Sequence, residues 1–172
     1  YIDNLIVQLT ALQSASELKI VLLTNEENIE RWEYIKYIPH NFSEDKSLRF
    51  FATNAEEVKE VSSYLMEEFK KRNNEEEEDK SKNVFTKHQP YYLIITDDYK
   101  SLKHTPIIKE IEKNKSSNYG FSFLTISNSL KDISNKCEKF IEIGEKESCI
   151  LEKKLKSQSQ IVFKNEYEKN II

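Results

Sequence analysis

Apolar positions change their period in a fixed order along this chain. Leu5, Ile6, Leu9 and Leu12 recur at helical spacing, and Ser14 to Ser16 close that pattern. Leu18-Lys19-Ile20-Val21-Leu22-Leu23-Thr24 then reads as a strand. Asn25 is placed to cap a second helix whose buried face carries Ile29, Trp32, Ile35 and Tyr37 or Ile38, and Pro39 ends it. Leu48-Arg49-Phe50-Phe51-Ala52-Thr53 is the next strand. Thr53 or Asn54 caps the long helix after it, which runs to about Lys71 on Val58, Val61, Leu65 and Phe69. Tyr91-Tyr92-Leu93-Ile94-Ile95-Thr96 is apolar almost without interruption. A short helix on Ile107, Ile108 and Ile111 follows it, and Gly120 to Ser127 make a further strand.

Strands apolar on both faces, alternating with amphipathic helices, predict a three-layer α/β fold. Its mainly parallel sheet has Leu18–Leu23, Leu48–Phe51, Tyr92–Thr96 and Phe121–Ile126 as central strands between flanking helices. Phe140 to Ile143 and Ser148 to Leu151, separated by a turn around Gly144, read as a hairpin. These elements define a domain over residues 1–152. The segment 153–172 is polar apart from Ile161-Val162-Phe163 and reads as a linker or a terminal strand. Residues 73–82, centred on Glu75-Glu76-Glu77-Glu78-Asp79, hold no apolar residue and repel one another. They are expected to form a disordered, solvated loop, with an acidic partner-binding loop as the weaker alternative.

Bulk properties narrow the function. At 172 residues, 38% hydrophobic and 11% aromatic, the chain can bury a core. Its 26 Lys+Arg against 30 Asp+Glu give a net charge of -4, so it exerts no general attraction on nucleic acid or anionic membrane. Cys137 and Cys149 supply neither a disulfide framework nor a thiolate zinc set, and free thiols in the cytoplasm are the expected state. No window is apolar over the length a membrane span needs, and no signal-peptide pattern opens the chain. A start at Tyr1, without Met, reads as a piece of a longer protein.

Chemistry-bearing residues are sparse. Asp97 and Asp98 end the most apolar strand, and ligands of open α/β sheets sit outside the carboxyl ends of such strands. The alternative is that both merely begin a turn and cap the helix starting near Lys100. His40, His88 and His104 lack the paired spacing of a metal-binding helix and read as surface or capping residues. No nucleophile elbow is present, and with Gly120 and Gly144 as the only glycines no segment can wrap backbone amides round a phosphate. Trp32, Tyr34 and Tyr37 sit on an amphipathic helix, where core or interdomain packing outweighs a nucleic-acid platform.

Several separated motifs agree on a resemblance. Pro90-Tyr91-Tyr92-Leu93-Ile94-Ile95-Thr96-Asp97-Asp98 resembles the Walker B strand of FtsK/SpoIIIE-type ATPases, and Gly120 to Asn128 resembles their sensor strand, both in degenerate form. Leu5 to Leu12, Leu18 to Leu22 and Trp32-Glu33-Tyr34-Ile35-Lys36-Tyr37-Ile38-Pro39-His40 together resemble the cytoplasmic region of EssC/EccC proteins of type VII secretion. The likeness extends from Leu5 to about Leu151, outside the acidic stretch.

The resemblance implies a degenerate P-loop-NTPase-like domain between membrane-spanning segments and tandem catalytic modules, with its phosphate-loop position just before Tyr1. It puts Asp97 at the Walker B aspartate, which holds Mg²⁺ through water, and Asp98 where an active enzyme carries a water-activating glutamate. Ser127 and Asn128 stand in place of the Thr-Gln of an active sensor. ATP and Mg²⁺ are then expected in the parent protein, with neither bound tightly by this chain and no catalytic residue within it. The implied partners are other domains of the same ATPase, secretion-machinery subunits and secreted WXG100-type proteins. Homo-oligomerisation of the parent is open, nucleic acid is not expected, and the place is the cytoplasmic face of the cell membrane, reached through the parent chain. Two alternatives stand beside this: an active nucleotide hydrolase or DNA translocase using Asp97 with a phosphate loop upstream, and a plain protein-interaction domain.

Overall fold

Leu18–Leu23 forms β1, the strand around which the sheet is built, and all six of its residues are buried. The computed structural model describes residues 1–82, 88–113, 118–144, 147–152 and 161–164. They fall into two compact units, Tyr1–Ile133 and Ser134–Ile172.

In the first unit, β1 lies between β2 (Phe51–Ala52) and β3 (Tyr91–Thr96), and β4 (Phe121–Thr125) lies beyond β3, giving the order β2-β1-β3-β4. All three pairings are parallel, with Leu18 opposite Tyr91 through Leu23 opposite Thr96, and Tyr92 opposite Phe121 through Thr96 opposite Thr125. Alternation along the strands divides the core. Val21, Leu23, Tyr92, Ile94 and Phe121 pack against α3 (Ala55–Lys82) through Val61, Leu65 and Phe69, and against α5 (Pro106–Lys113) through Ile107 and Ile108. Ile20, Leu22 and Ile95 pack on the other face against Ile2 and Ile6 of α1 (Ile2–Leu12), with Trp32 and Ile35. The result is the expected three-layer α/β architecture. Each aliphatic side chain buried in this way contributes roughly 1.5–3 kcal/mol. No helix among the described residues is long and apolar enough to cross a membrane.

The start of α3 shows why the chain turns where it does. Asn54 Oδ1 accepts from the Glu56 and Glu57 N–H groups, while Glu57 Oε2 accepts from the Thr53 N–H at 2.7 Å and its hydroxyl at 3.0 Å. Asn54 thus satisfies two free amides of the first turn, while Glu57 reaches back to the residue before the cap, a variant of the capping box. Burial pushes the Glu57 carboxyl up, but the bonds from Thr53 and Asn54 outweigh it and hold its pKa below the usual range.

Three expectations need correction. The acidic stretch 73–82 is helical, because α3 continues through Lys82. Its buried stripe does not stop at Phe69 but passes to polar residues with tertiary partners. Arg72, 4% exposed, donates to the carbonyls of Tyr119 at 3.1 Å and Pro90 at 3.0 Å and lies over the rings of Tyr92 and Phe121. One turn on, Glu76 meets His88 at 3.8 Å. The strand expected over Leu48–Phe51 contributes only Phe51 and Ala52 to the sheet. Its earlier part folds back on 41–43, with Phe50 N–H bonded to Asn41 O, Ser43 N–H to Leu48 O, and Phe42 bridged to Arg49.

The helix expected after Asn25 is broken into a 3₁₀ turn, a short α2 (Ile29–Trp32) and another 3₁₀ run, Glu33–Tyr37. Asn25 does cap its start, accepting from Asn28 N–H at 3.2 Å. After β3 the chain makes α4 (Tyr99–Leu102) before α5.

The second unit is an antiparallel sheet of order β5-β6-β7, formed by Lys139–Ile143, Glu147–Glu152 and Ile161–Lys164. The expected hairpin is present. It pairs with the strand at 161–164 in the second compact unit, which begins at Ser134. Residues 153–160 and 165–172 of the expected linker lie outside the described residues.

Candidate functional site

The parallel register ends β1 and β3 side by side, which brings Thr24 and Asp97 together on the face covered by α1 and Trp32. Thr24 Oγ1 donates to Asp97 Oδ1 at 2.6 Å and Trp32 Nε1 donates to Oδ2 at 2.7 Å. Both carboxylate oxygens therefore accept a short, charge-assisted bond from within the chain. Trp32 is fully buried, Thr24 is 3% exposed and Asp97 is half-buried. The break between α2 and the 3₁₀ run falls at Trp32 itself, which sits at φ -104°, ψ 1° in the bridge region. Arg31 lies over the indole ring, 4.7 Å from its centroid.

Asp98 is turned to a different task. Its N–H donates to Thr96 Oγ1 at 3.0 Å, and its Oδ1 accepts from the Ser101 N–H at 3.4 Å as the cap of α4. Ser127 and Asn128 are exposed beyond the end of β4, and Ser127 closes a turn on Ser129 through bonds of 3.0 and 3.1 Å. Asp97 and Asp98 thus diverge, and among the described residues neither is hydrogen-bonded to Ser127 or Asn128.

A divalent ion held by Asp97 through water needs the carboxylate turned to solvent, and here the buried indole occupies one of its oxygens. Each oxygen of Asp97 thus already accepts one bond from within the chain, and the half-buried carboxylate keeps lone pairs beyond those two. Among the described residues no group of three His, Cys, Asp or Glu is placed to hold a metal. A cleft of about 200 Å³ lined by Met66, Phe69, Lys70, Asn73 and Glu110 is smaller than the roughly 300–1,000 Å³ of small-molecule sites.

Two histidines lie inside rather than on the surface. His40 is 6% exposed, with Nε2 2.8 Å from Gln13 O, and the His88 side chain packs against Tyr119 and Glu76. Beside His40, Asn41 is fully buried, and its amide donates to Ile20 O at 2.9 Å and Phe50 O at 2.8 Å, tying β1 to the residue before β2. Packing explains Trp32 only in part. A buried indole N–H needs an acceptor, and that requirement was the available signal for its partnership with an acid at a strand end. No protein family, curated protein or solved structure matches the chain.

Proposed function

We propose that the chain is a non-catalytic, ATPase-like module of a membrane-anchored type VII secretion motor, and that it couples or regulates downstream ATPases during export of small helical WXG100-type proteins. The secretion assignment rests on the sequence resemblance. The non-catalytic part rests on the geometry of Asp97: an acid at the Walker B position whose two oxygens hold Thr24 and Trp32 serves the fold, not a metal. Asp98 points the same way, since an acid that caps a helix does not orient water. Nucleotide and Mg²⁺ belong, in this reading, to other modules of the parent protein, on the cytoplasmic face of the membrane.

The test is an Asp98→Ser substitution in the parent protein, because serine keeps the helix cap but cannot activate water. Export of the small helical substrates continues in that variant and stops when residues 1–133 are deleted. Export lost in the Asp98→Ser protein, with its abundance unchanged, overturns the non-catalytic reading. Export that survives the deletion overturns the assignment to the motor.

A further inference from the structure

β4 stands at one end of the parallel sheet, and no described residue pairs with its outer edge. Its backbone is committed alternately. Tyr92 N–H donates to Gly120 O and Ile126 N–H to Thr96 O, both at 2.8 Å, so residues 120, 122, 124 and 126 face β3. Phe121, Phe123 and Thr125 turn their N–H and C=O groups outward. Asn118 O takes the Phe121 N–H at 2.8 Å. The outward groups of Phe123 and Thr125, and the Phe121 carbonyl, remain for a further strand.

The side chains carry no charge that would deter one. Phe121 and Phe123 belong to one core cluster, and Leu124 and Ile126 border the other. In a chain that is 33% charged, the sequence from Ser116 to Leu130 contains no Asp, Glu, Lys or Arg. Leu5 and Leu9 of α1 border the same buried cluster as Leu124 and Ile126, and Leu5 to Ser16 is likewise without charge. The opposite edge is protected. There β2 is two residues long, and it is preceded by Glu44, Asp45, Lys46 and Arg49, with Arg49 bridged back to Phe42. Shortness and charge are the usual defences of an edge strand, and β4 has neither.

We propose that this edge is a self-association surface, on which β4 pairs antiparallel with β4 of a second copy of the chain about a twofold axis at Phe123. The occupant must offer alternating backbone groups, two apolar faces and no charge. Within this chain β1 and β3 are interior, β2 is too short, and β5, β6 and β7 contain Lys139 and Glu142, Glu147 and Glu152, and Lys164. Among the described strands only β4 meets the requirement. A twofold axis forces the antiparallel sense and closes the assembly at two copies. Phe123 then faces Phe123 of the second copy in a reciprocal bonded pair, and Phe121 faces Thr125 on each flank.

Sedimentation velocity on the whole chain at micromolar concentration tests this, and the expected species has twice the chain mass. A Thr125→Pro variant removes an outward N–H and leaves the bonds to β3 intact. It retains the wild-type far-UV spectrum and weakens association on the order of 100-fold. Phe123→Lys and Phe123→Glu variants are each monomeric alone and form a mixed dimer when combined, because opposite charges meet at the axis; mere damage to the fold is not repaired by mixing. A wild-type chain that stays monomeric, a dimer indifferent to Thr125→Pro, or the absence of a mixed dimer overturns the proposal.

Discussion

Replacing Asp97 by alanine removes one side chain and strands two donors. The Thr24 hydroxyl and the Trp32 indole N–H lose acceptors at 2.6 and 2.7 Å, and both donors belong to buried residues that water does not reach freely. Hydrogen bonds to a charged group are worth roughly 1.5–3 kcal/mol each. Because the carboxylate is itself half-buried, its solvation in the unfolded state offsets part of that sum. The expected net loss is about 3 kcal/mol, a large share of the roughly 5–15 kcal/mol that holds an ordinary domain together. Urea unfolding followed by far-UV circular dichroism measures it, with the midpoint falling and the slope unchanged. Trp32→Phe, measured alone and with Asp97→Ala, completes a double-mutant cycle whose coupling is expected at about 1–2 kcal/mol. The sign decides between roles, because acids held in place for function are commonly a cost to stability. An Asp97→Ala chain as stable as wild type, or more stable, refutes the structural assignment.

Gly120 has φ +78°, and a Cβ there would lie 2.7 Å from Arg72 Nη1 and 2.9 Å from His88 Cβ, so Gly120→Ala is expected to lower stability by about 1–3 kcal/mol in the same urea assay. Thr125 Oγ1 is buried without a hydrogen-bond partner among the described residues, and Thr125→Val is expected to raise stability by about 1 kcal/mol; a loss would mean that the hydroxyl has a partner in solution. Hydrogen bonds from Ser43 and Ser47 hold the Asp45 carboxyl at about 2, and those from Thr53 and Asn54 keep Glu57 low. Both folded pKa values are depressed, so their contribution is complete above the unfolded values near about 4 and is lost as pH falls through the folded ones. The melting temperature should fall from about pH 4 towards about pH 2, and less steeply in a Thr53→Val chain, which lacks one donor to Glu57.

The parallel sheet was legible because β1 and β3 are buried on both faces, so their apolar runs stand out from the alternating periods around them. The cap of α3 was equally readable from Thr53 and Asn54, though not the part that Glu57 takes in it. Its far end was not. Arg72 and Glu76 continue the buried stripe as polar residues, and their partners Pro90, Tyr119 and His88 come from distant sequence. The same limit hid the site. Asp97 announced itself at a strand end, but its bonds to Thr24 and Trp32 span 73 and 65 positions and emerge only from the register of β1 on β3 and the break in the chain at Trp32. Asp98 as a helix cap, by contrast, was within reach of local spacing.

Mg-ATP added to the purified chain provides the most direct measurement, with phosphate release and the emission of Trp32, the one tryptophan in the sequence, followed together. Because Asp97 Oδ2 accepts from the Trp32 indole N–H at 2.7 Å, a metal bound at this carboxylate is expected to perturb that fluorophore. The expected result is no phosphate above the blank and no saturable change in emission at millimolar nucleotide. Turnover above the blank that disappears in the Asp97→Ala chain, accompanied by a saturable shift in Trp32 emission, would contradict a structural Asp97 and return the residue to catalysis.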